Sequence, residues 1–166
     1  MLIRKAVIED AKSINAIYDE YVKHTAITFE YETPSTKEME RRIATISSRY
    51  PFLVAEDKGL IIGYAYASAL SPRAAYQWSV ETSIYVDDKK KRQGIGRKLY
   101  AALEEALKAQ GIINLYACIA YGEDEHLNKD SIVFHESLGY VTVGHFHQCG
   151  YKFDRWYDVV WMEKKL

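Results

Sequence analysis

The sequence predicts an α/β (α+β) fold, a mixed sheet covered by helices in one domain over residues 1–166. Three observations predict it. Apolar periodicity switches between strand and helix repeats in the order β-α-α-β-β-β-α-β-α-β-β. Asp57-Lys58-Gly59 between two apolar runs signals a tight hairpin, which makes its flanking strands antiparallel neighbours. A strand-loop-helix unit around Gly94 and Gly96 supplies a crossover, and hairpins combined with crossovers require a mixed sheet.

Each element has its own signal. Leu2 to Val7 suits a short strand, after which Glu9-Asp10 opens a helix with Ala11, Ile14, Tyr18, Tyr21 and Val22 at helical spacing. Thr25 to Glu32 is a loop or short extended piece that ends at Thr33-Pro34. Ser35-Thr36-Lys37-Glu38 matches a capping box before a helix carrying Met39, Ile43 and Ile46. Pro51 stops that helix, and Phe52 to Glu56 and Leu60 to Ala69 form the hairpin strands. Trp78 to Val86 alternates as a strand, and Ile95, Leu99, Leu103 and Leu107 mark a helix ended by Gly111. Ile112 to Ala120 is a buried strand that places Cys118 in the core, Asp130 to Leu138 a short helix stopped by Gly139, and two strands close the chain.

Composition narrows the function classes. Apolar residues make up 48% and charged residues 27% of 166 positions, a globular balance. Lysine and arginine number 22 against 23 acidic residues, so a net charge of -1 gives no general attraction to nucleic acid or anionic lipid. Charges at Arg4, Lys5, Glu9 and Asp10 interrupt any signal-peptide apolar region, and no apolar run approaches the roughly 20 residues of a membrane helix. Cys118 and Cys149 alone do not make a disulfide scaffold, which leads us to expect a reducing cytoplasm.

The segment Lys91-Arg92-Gln93-Gly94-Ile95-Gly96-Arg97 lies between strand and helix. Glycines allow close backbone approach, and free amides at a helix start suit phosphate oxygens. Lys89, Lys90, Lys91, Arg92, Arg97 and Lys98 surround it. A Walker loop is excluded because the spaced Gly-Lys-Ser/Thr is missing, and the dinucleotide fingerprint has Leu99 where its third glycine belongs. Taken alone, the motif is also compatible with a solvated basic turn.

Context supplies more. The loop resembles the acyl-CoA pyrophosphate signature of the GNAT acetyltransferase superfamily, with Lys91 in place of the leading Gln or Arg. Tyr50 to Ala55, Val80 to Val86 and Gly150 to Val159 resemble the phosphinothricin N-acetyltransferase-like group, and Asn128 to Ser131 through His135 to Tyr140 resembles the segment along the pantetheine arm. The resemblance covers nearly the whole chain. It implies a single-domain, mixed but mostly antiparallel twisted sheet flanked by helices, acetyl-CoA as cosubstrate and a homodimer. The implied activity is N-acetylation of a small amino acid or analogue of the phosphinothricin, methionine sulfoximine or methionine sulfone type. Acetylation of protein N-termini and a noncatalytic acyl-CoA-binding module are the alternatives.

Site residues follow from that resemblance. Backbone groups of Ile84, Tyr85 and Val86 would hold the pantetheine, the segment Arg92, Gln93, Gly94, Ile95, Gly96 and Arg97 the phosphates, and Asn128 and Ser131 the arm. Glu81 would be the general base and His135 the proton donor to the thiolate. A free α-amine with pKa near 8 is roughly one-tenth neutral at pH 7, so a modest base suffices. Arg73 and Tyr76 precede the Glu81 strand, and a guanidinium can grip an α-carboxylate. Phe29, Glu30, Trp78, Ser83, Lys152 and Phe153 would complete the acceptor pocket. His145 and His147 share one strand face, but without a further ligand pair they give no zinc framework, and no metal is expected.

Overall fold

The computed structural model describes residues 1–166. Its elements follow the expected order: β1 (Leu2–Lys5), α1 (Ala11–His24), α2 (Thr36–Ser47), β2 (Phe52–Asp57), β3 (Leu60–Ala69), β4 (Ser79–Val86), α3 (Ile95–Ala109), β5 (Asn114–Tyr121), α4 (Asp130–Glu136), β6 (Val141–Lys152) and β7 (Arg155–Lys165). One sheet of seven strands runs β1-β2-β3-β4-β5-β7-β6. Every neighbouring pair is antiparallel except β4 with β5, which α3 connects by a crossover.

Local chemistry explains the boundaries. Ser35 caps α2 by accepting the Glu38 N–H at 3.1 Å, while the Glu38 carboxylate is drawn to Arg41 and Arg42. The β2–β3 turn places Lys58 at φ 51 and Gly59 at φ 79, the paired left-handed residues that suit strand twist. Phe153 at φ 51 and Asp154 at φ 57 make the same turn between β6 and β7 without a glycine.

Helices cover both sheet faces. On one, Leu99, Leu103 and Leu107 of α3 pack with Leu115, Tyr140 and Met162. On the other, Ile14, Tyr18 and Val22 of α1 and Met39 and Ile43 of α2 pack on Phe52, Val54 and Tyr64. Each such buried side chain contributes roughly 1.5–3 kcal/mol, so both helical layers are held by apolar contact rather than by surface charge.

The loop 25–35 is anchored from the far end of the sheet. Buried Lys152 donates from Nζ to the carbonyls of Thr25 and Thr28, both at 2.8 Å. Gly150 makes room for the loop, since a Cβ there would lie 2.1 Å from Phe29 Cε2. Glu30 is fixed by Arg42 at 2.9 and 2.6 Å and by the Tyr18 hydroxyl. Replacing Lys152→Met leaves two carbonyls without their donor, and a loss of about 1–3 kcal/mol in urea denaturation is expected. An unchanged midpoint would show that the ammonium does not hold the loop.

Candidate active site

β4 and β5 pair only at Ser79↔Asn114, Val80↔Leu115 and Glu81↔Tyr116, although β4 runs on to Val86 and β5 to Tyr121. The strands then part around a cleft of about 50 Å³, lined by residues 82–85 and 117–120 with Ile27, Tyr100, Leu127, Ser131 and His135. Asp87 N–H bonds Ile62 O at 3.0 Å, and the register Tyr64↔Tyr85 continues that pairing. By antiparallel alternation, the backbone groups of Ser83 and Tyr85 point to β3, and those of Thr82, Ile84 and Val86 face the parted side. The Tyr21 hydroxyl donates to Val86 O at 2.7 Å. Of the three residues expected to receive an extended arm, Tyr85 therefore belongs to the ladder and Ile84 presents the open edge.

The glycine loop ends at the N-terminus of α3. Arg92 at φ 63 and Gly94 at φ 75 are both left-handed, and no side chain caps the helix. The first backbone bond is Lys98 N–H to Gly94 O at 3.2 Å, which leaves the Ile95, Gly96 and Arg97 amides without protein partners. Such converging N–H groups form an anion-binding nest. A Cβ at Gly94 would meet nothing within 4 Å, so the space before the nest is open to an anion. Gly96 has another cause: its Cβ would lie 2.9 Å from Phe134 Cζ, where α3 meets α4. The Ile95 side chain is buried in the core and Gln93 is exposed. Lys91 bonds Asp88 at 2.7 Å, Arg97 donates to Ser137 Oγ at 3.1 Å, and Arg92 lies 3.9 Å from Asp130.

Glu81 and His135 lie on opposite faces of the sheet, His135 lining the cleft and Glu81 at the last paired position before the strands part. Val80, Ile84 and Val86 pack with the α3 layer and Tyr85 with the α1 layer, so strand alternation puts Glu81 and Ser83 on the α1 face. Burial raises the pKa of the half-buried Glu81 carboxylate, and no cation offsets it. Its charge bears on the Cys118 thiol and the Tyr66 phenol.

His135 lies on the α3 face, 3% exposed. Its Nδ1 is 2.7 Å from the Ser131 carbonyl and must donate there, so Nε2 accepts from the Tyr100 hydroxyl at 2.9 Å. Burial lowers its pKa against the opposing pull of the Ser131 carbonyl, which favours the neutral imidazole. Both ring nitrogens are occupied, contrary to a free acid facing the thiolate; the hydroxyl that lines the cleft beside it is Tyr100. Thr82 Oγ1 joins the cluster, 3.3 Å from both the Tyr100 and Tyr140 hydroxyls. The sequence reading missed Tyr100, which sits next to Leu99 in the apolar phase of α3. It also put Cys118 in the core, whereas Cys118 is exposed along the cleft. Partial burial of its thiol, then Glu81, pushes its pKa up to about 12.

Other expected site residues are more dispersed. Ser83 and Ser131 line the cleft. Asn128 serves the start of α4, its Oδ1 accepting Asp130 N–H at 3.0 Å. Arg73, Tyr76 and Trp78 are exposed on the β3–β4 connection, outside the cleft lining. Phe29 tilts against Tyr157 at 6.3 Å, Phe153 stacks on His126 at 3.9 Å, and Glu30 and Lys152 are committed to holding the loop.

An open strand edge leading from an anion nest to a half-buried carboxylate defines a transferase site for an acyl group on a long phosphate-bearing carrier. Residues 3–161 match the acetyltransferase (GNAT) domain family, and the chain belongs to that family. It is 39% identical to a phosphinothricin N-acetyltransferase of Streptomyces coelicolor over 99% of this chain and 95% of that one. It is 36% identical to an L-methionine sulfoximine/L-methionine sulfone acetyltransferase of Pseudomonas aeruginosa over 99% of this chain and 94% of that one. A phosphinothricin acetyltransferase of Sinorhizobium meliloti, solved with acetyl-CoA, superposes with a TM-score of 0.91 at 38% identity over 99% of this chain and 88% of that one. The protein is an acyl-CoA N-acetyltransferase with acetyl-CoA as cosubstrate.

Gly94→Val tests the nest. A β-branched residue resists the left-handed conformation by about 1–2 kcal/mol and projects into the open space where phosphate would lie. Calorimetric titration should find CoA affinity lost while circular dichroism stays unchanged. Unaltered affinity would remove Gly94 from the phosphate site.

Proposed function

We propose that this single domain acetylates the α-amine of a small amino acid or amino-acid analogue of the phosphinothricin or methionine sulfoximine type by direct attack on the thioester. The observation that carries the reading is the open β4 edge at Ile84, flanked by Glu81 on one face and the Tyr100–His135 pair on the other. The amine enters from the α1 face and passes its proton to Glu81, directly or through water. The departing thiolate leaves toward the α3 face and takes its proton from water that the Tyr100 hydroxyl, fixed by His135, orients at the cleft. Arg73 carries no protein carboxylate and is available to grip the acceptor's α-carboxylate. Tyr76 and Trp78 flank that approach. The exposed Val141, Val143 and Phe146 on edge strand β6 support association of two copies, and two free cysteines fit a cytoplasmic setting.

Glu81→Gln should lower kcat by about 10²–10⁴-fold across a panel of amino acids while CoA affinity stays within twofold. The base works deprotonated, so wild-type activity falls as pH drops through a Glu81 pKa raised above the ordinary carboxylate range. The variant should lose that acid limb. Equal rates in both proteins would exclude Glu81 as base, and CoA binding without acetylation of any amino acid would exclude the acceptor class.

Tyr100→Phe and His135→Gln should each reduce kcat, and the double variant should be no slower than the worse single one, because the two residues act as a unit. Multiplicative losses would show that they act separately.

A further inference from the structure

β6 departs from a regular strand where it faces β7. Phe146 pairs with Val159 and Gly150 with Tyr157, so His147, Gln148 and Cys149 stand opposite Asp158 alone. Gln148 takes φ 46 to complete this bulge, and its N–H binds Asp158 Oδ1 at 2.7 Å. The other carboxylate oxygen lies 2.7 Å from His145 Nε2 and 3.4 Å from His147 Nδ1. The imidazoles stack with centroids 4.4 Å apart, and the three ligand atoms lie within 4.8 Å of one another.

We propose that His145, His147 and Asp158 bind one divalent transition-metal ion of the Zn²⁺ type, at a site separate from the acyl cleft. The sequence offers two imidazoles on one strand face without a third ligand; the bulge brings that ligand from β7. Around a tetrahedral ion with bonds of about 2.0–2.1 Å, ligand atoms lie about 3.3 Å apart. The carboxylate–imidazole separations of 2.7 and 3.4 Å bracket that spacing and the two imidazole nitrogens lie no more than 4.8 Å apart, so side-chain rotations that bring the rings together admit an ion. Two imidazoles with one carboxylate favour Zn²⁺, Ni²⁺ or Cu²⁺ over Mg²⁺ or Ca²⁺, which prefer oxygen shells. The Gln148 amide orients the carboxylate as an outer-shell partner does in metal sites.

The site adjoins the cleft wall. The His145 ring meets the edge of Tyr121 at 5.0 Å, and Tyr121 is the β5 register partner of Asp158. Tyr121 directly follows the β5 residues 117–120 that line the cleft. An ion there fastens the bulge to β7 beside the end of β5.

The test is calorimetric titration of the tag-free, full-length protein with ZnCl₂. One ion per chain is expected, with a rise in Tm of roughly 5–10 °C at an ion concentration near 100 Kd and none with MgCl₂. The His147 side chain is 77% exposed, so His147→Ala should fold normally. It should nevertheless weaken Zn²⁺ binding by about 100-fold or more, the upper range for losing even an outer-shell partner. Asp158→Asn should do the same, while Cys149→Ser should bind like wild type. Absence of saturable Zn²⁺ binding would overturn the proposal. So would equal affinity in His147→Ala and wild type, or loss of binding in Cys149→Ser.

Discussion

A parallel strand pair that stops bonding midway leaves backbone amides and carbonyls without partners, at about 1–3 kcal/mol for each group shut away from water. That constraint organises this molecule. After Glu81↔Tyr116, β4 and β5 are kept apart by what stands between and beneath them. Thr82 Oγ1 reaches across to the Tyr116 carbonyl at 3.2 Å, while the Tyr100, Tyr140 and His135 side chains fill the α3 face below. At the outer end, the Tyr21 hydroxyl satisfies Val86 O from the α1 face. The sheet is thus prevented from zipping shut, and the Ile84 edge stays available for an extended ligand to complete it as an added strand would.

The parting also makes two faces meet at one point. In a closed sheet, Glu81 and His135 would be separated by a layer of paired backbone. Here His135 lines the gap and Glu81 stands at the last paired position before it, and burial shifts the pKa of each. Burial without a counter-ion holds the Glu81 pKa above the ordinary carboxylate range. Burial holds the His135 pKa down, and the Ser131 carbonyl fixes its tautomer. The neutral imidazole is therefore an acceptor for Tyr100 rather than a donor to the cleft.

The sequence made the helices, hairpins and strand order legible because those depend on local periodicity and turn chemistry: Leu99, Leu103 and Leu107 point one way on any α-helix, and Lys58-Gly59 favours one turn. The expectation that Glu81 is a base and that residues 91–97 hold phosphates came from family resemblance rather than from periodicity. What escaped depends on residues distant in sequence. Lys152 reads as a pocket lysine until the fold sets it under the carbonyls of Thr25 and Thr28. Gly96 reads as a glycine kept small for the phosphates, whereas the space its Cβ would need is taken by Phe134 of α4. Tyr100 shares the apolar phase of its helix, and only its hydroxyl partners distinguish it from core. Asp158 becomes a neighbour of two histidines through a bulge that period-two alternation does not encode.

The same geometry bears on how a chain of net charge -1 holds a polyanionic carrier. Lysines and arginines crowd the loop, yet Lys91 is tied to Asp88, Arg97 leans on Ser137, and Arg92 faces Asp130. Exposed pairs of this kind contribute little and are screened by salt within about 10 Å. The amides of Ile95, Gly96 and Arg97 are different: they are neutral, fixed in direction by α3, and free of competing protein acceptors. A grip built on them depends on backbone direction more than on net charge. On the proposed reading, Gly94, which carries no side chain at all, bears on such a grip through backbone conformation and open space rather than through charge.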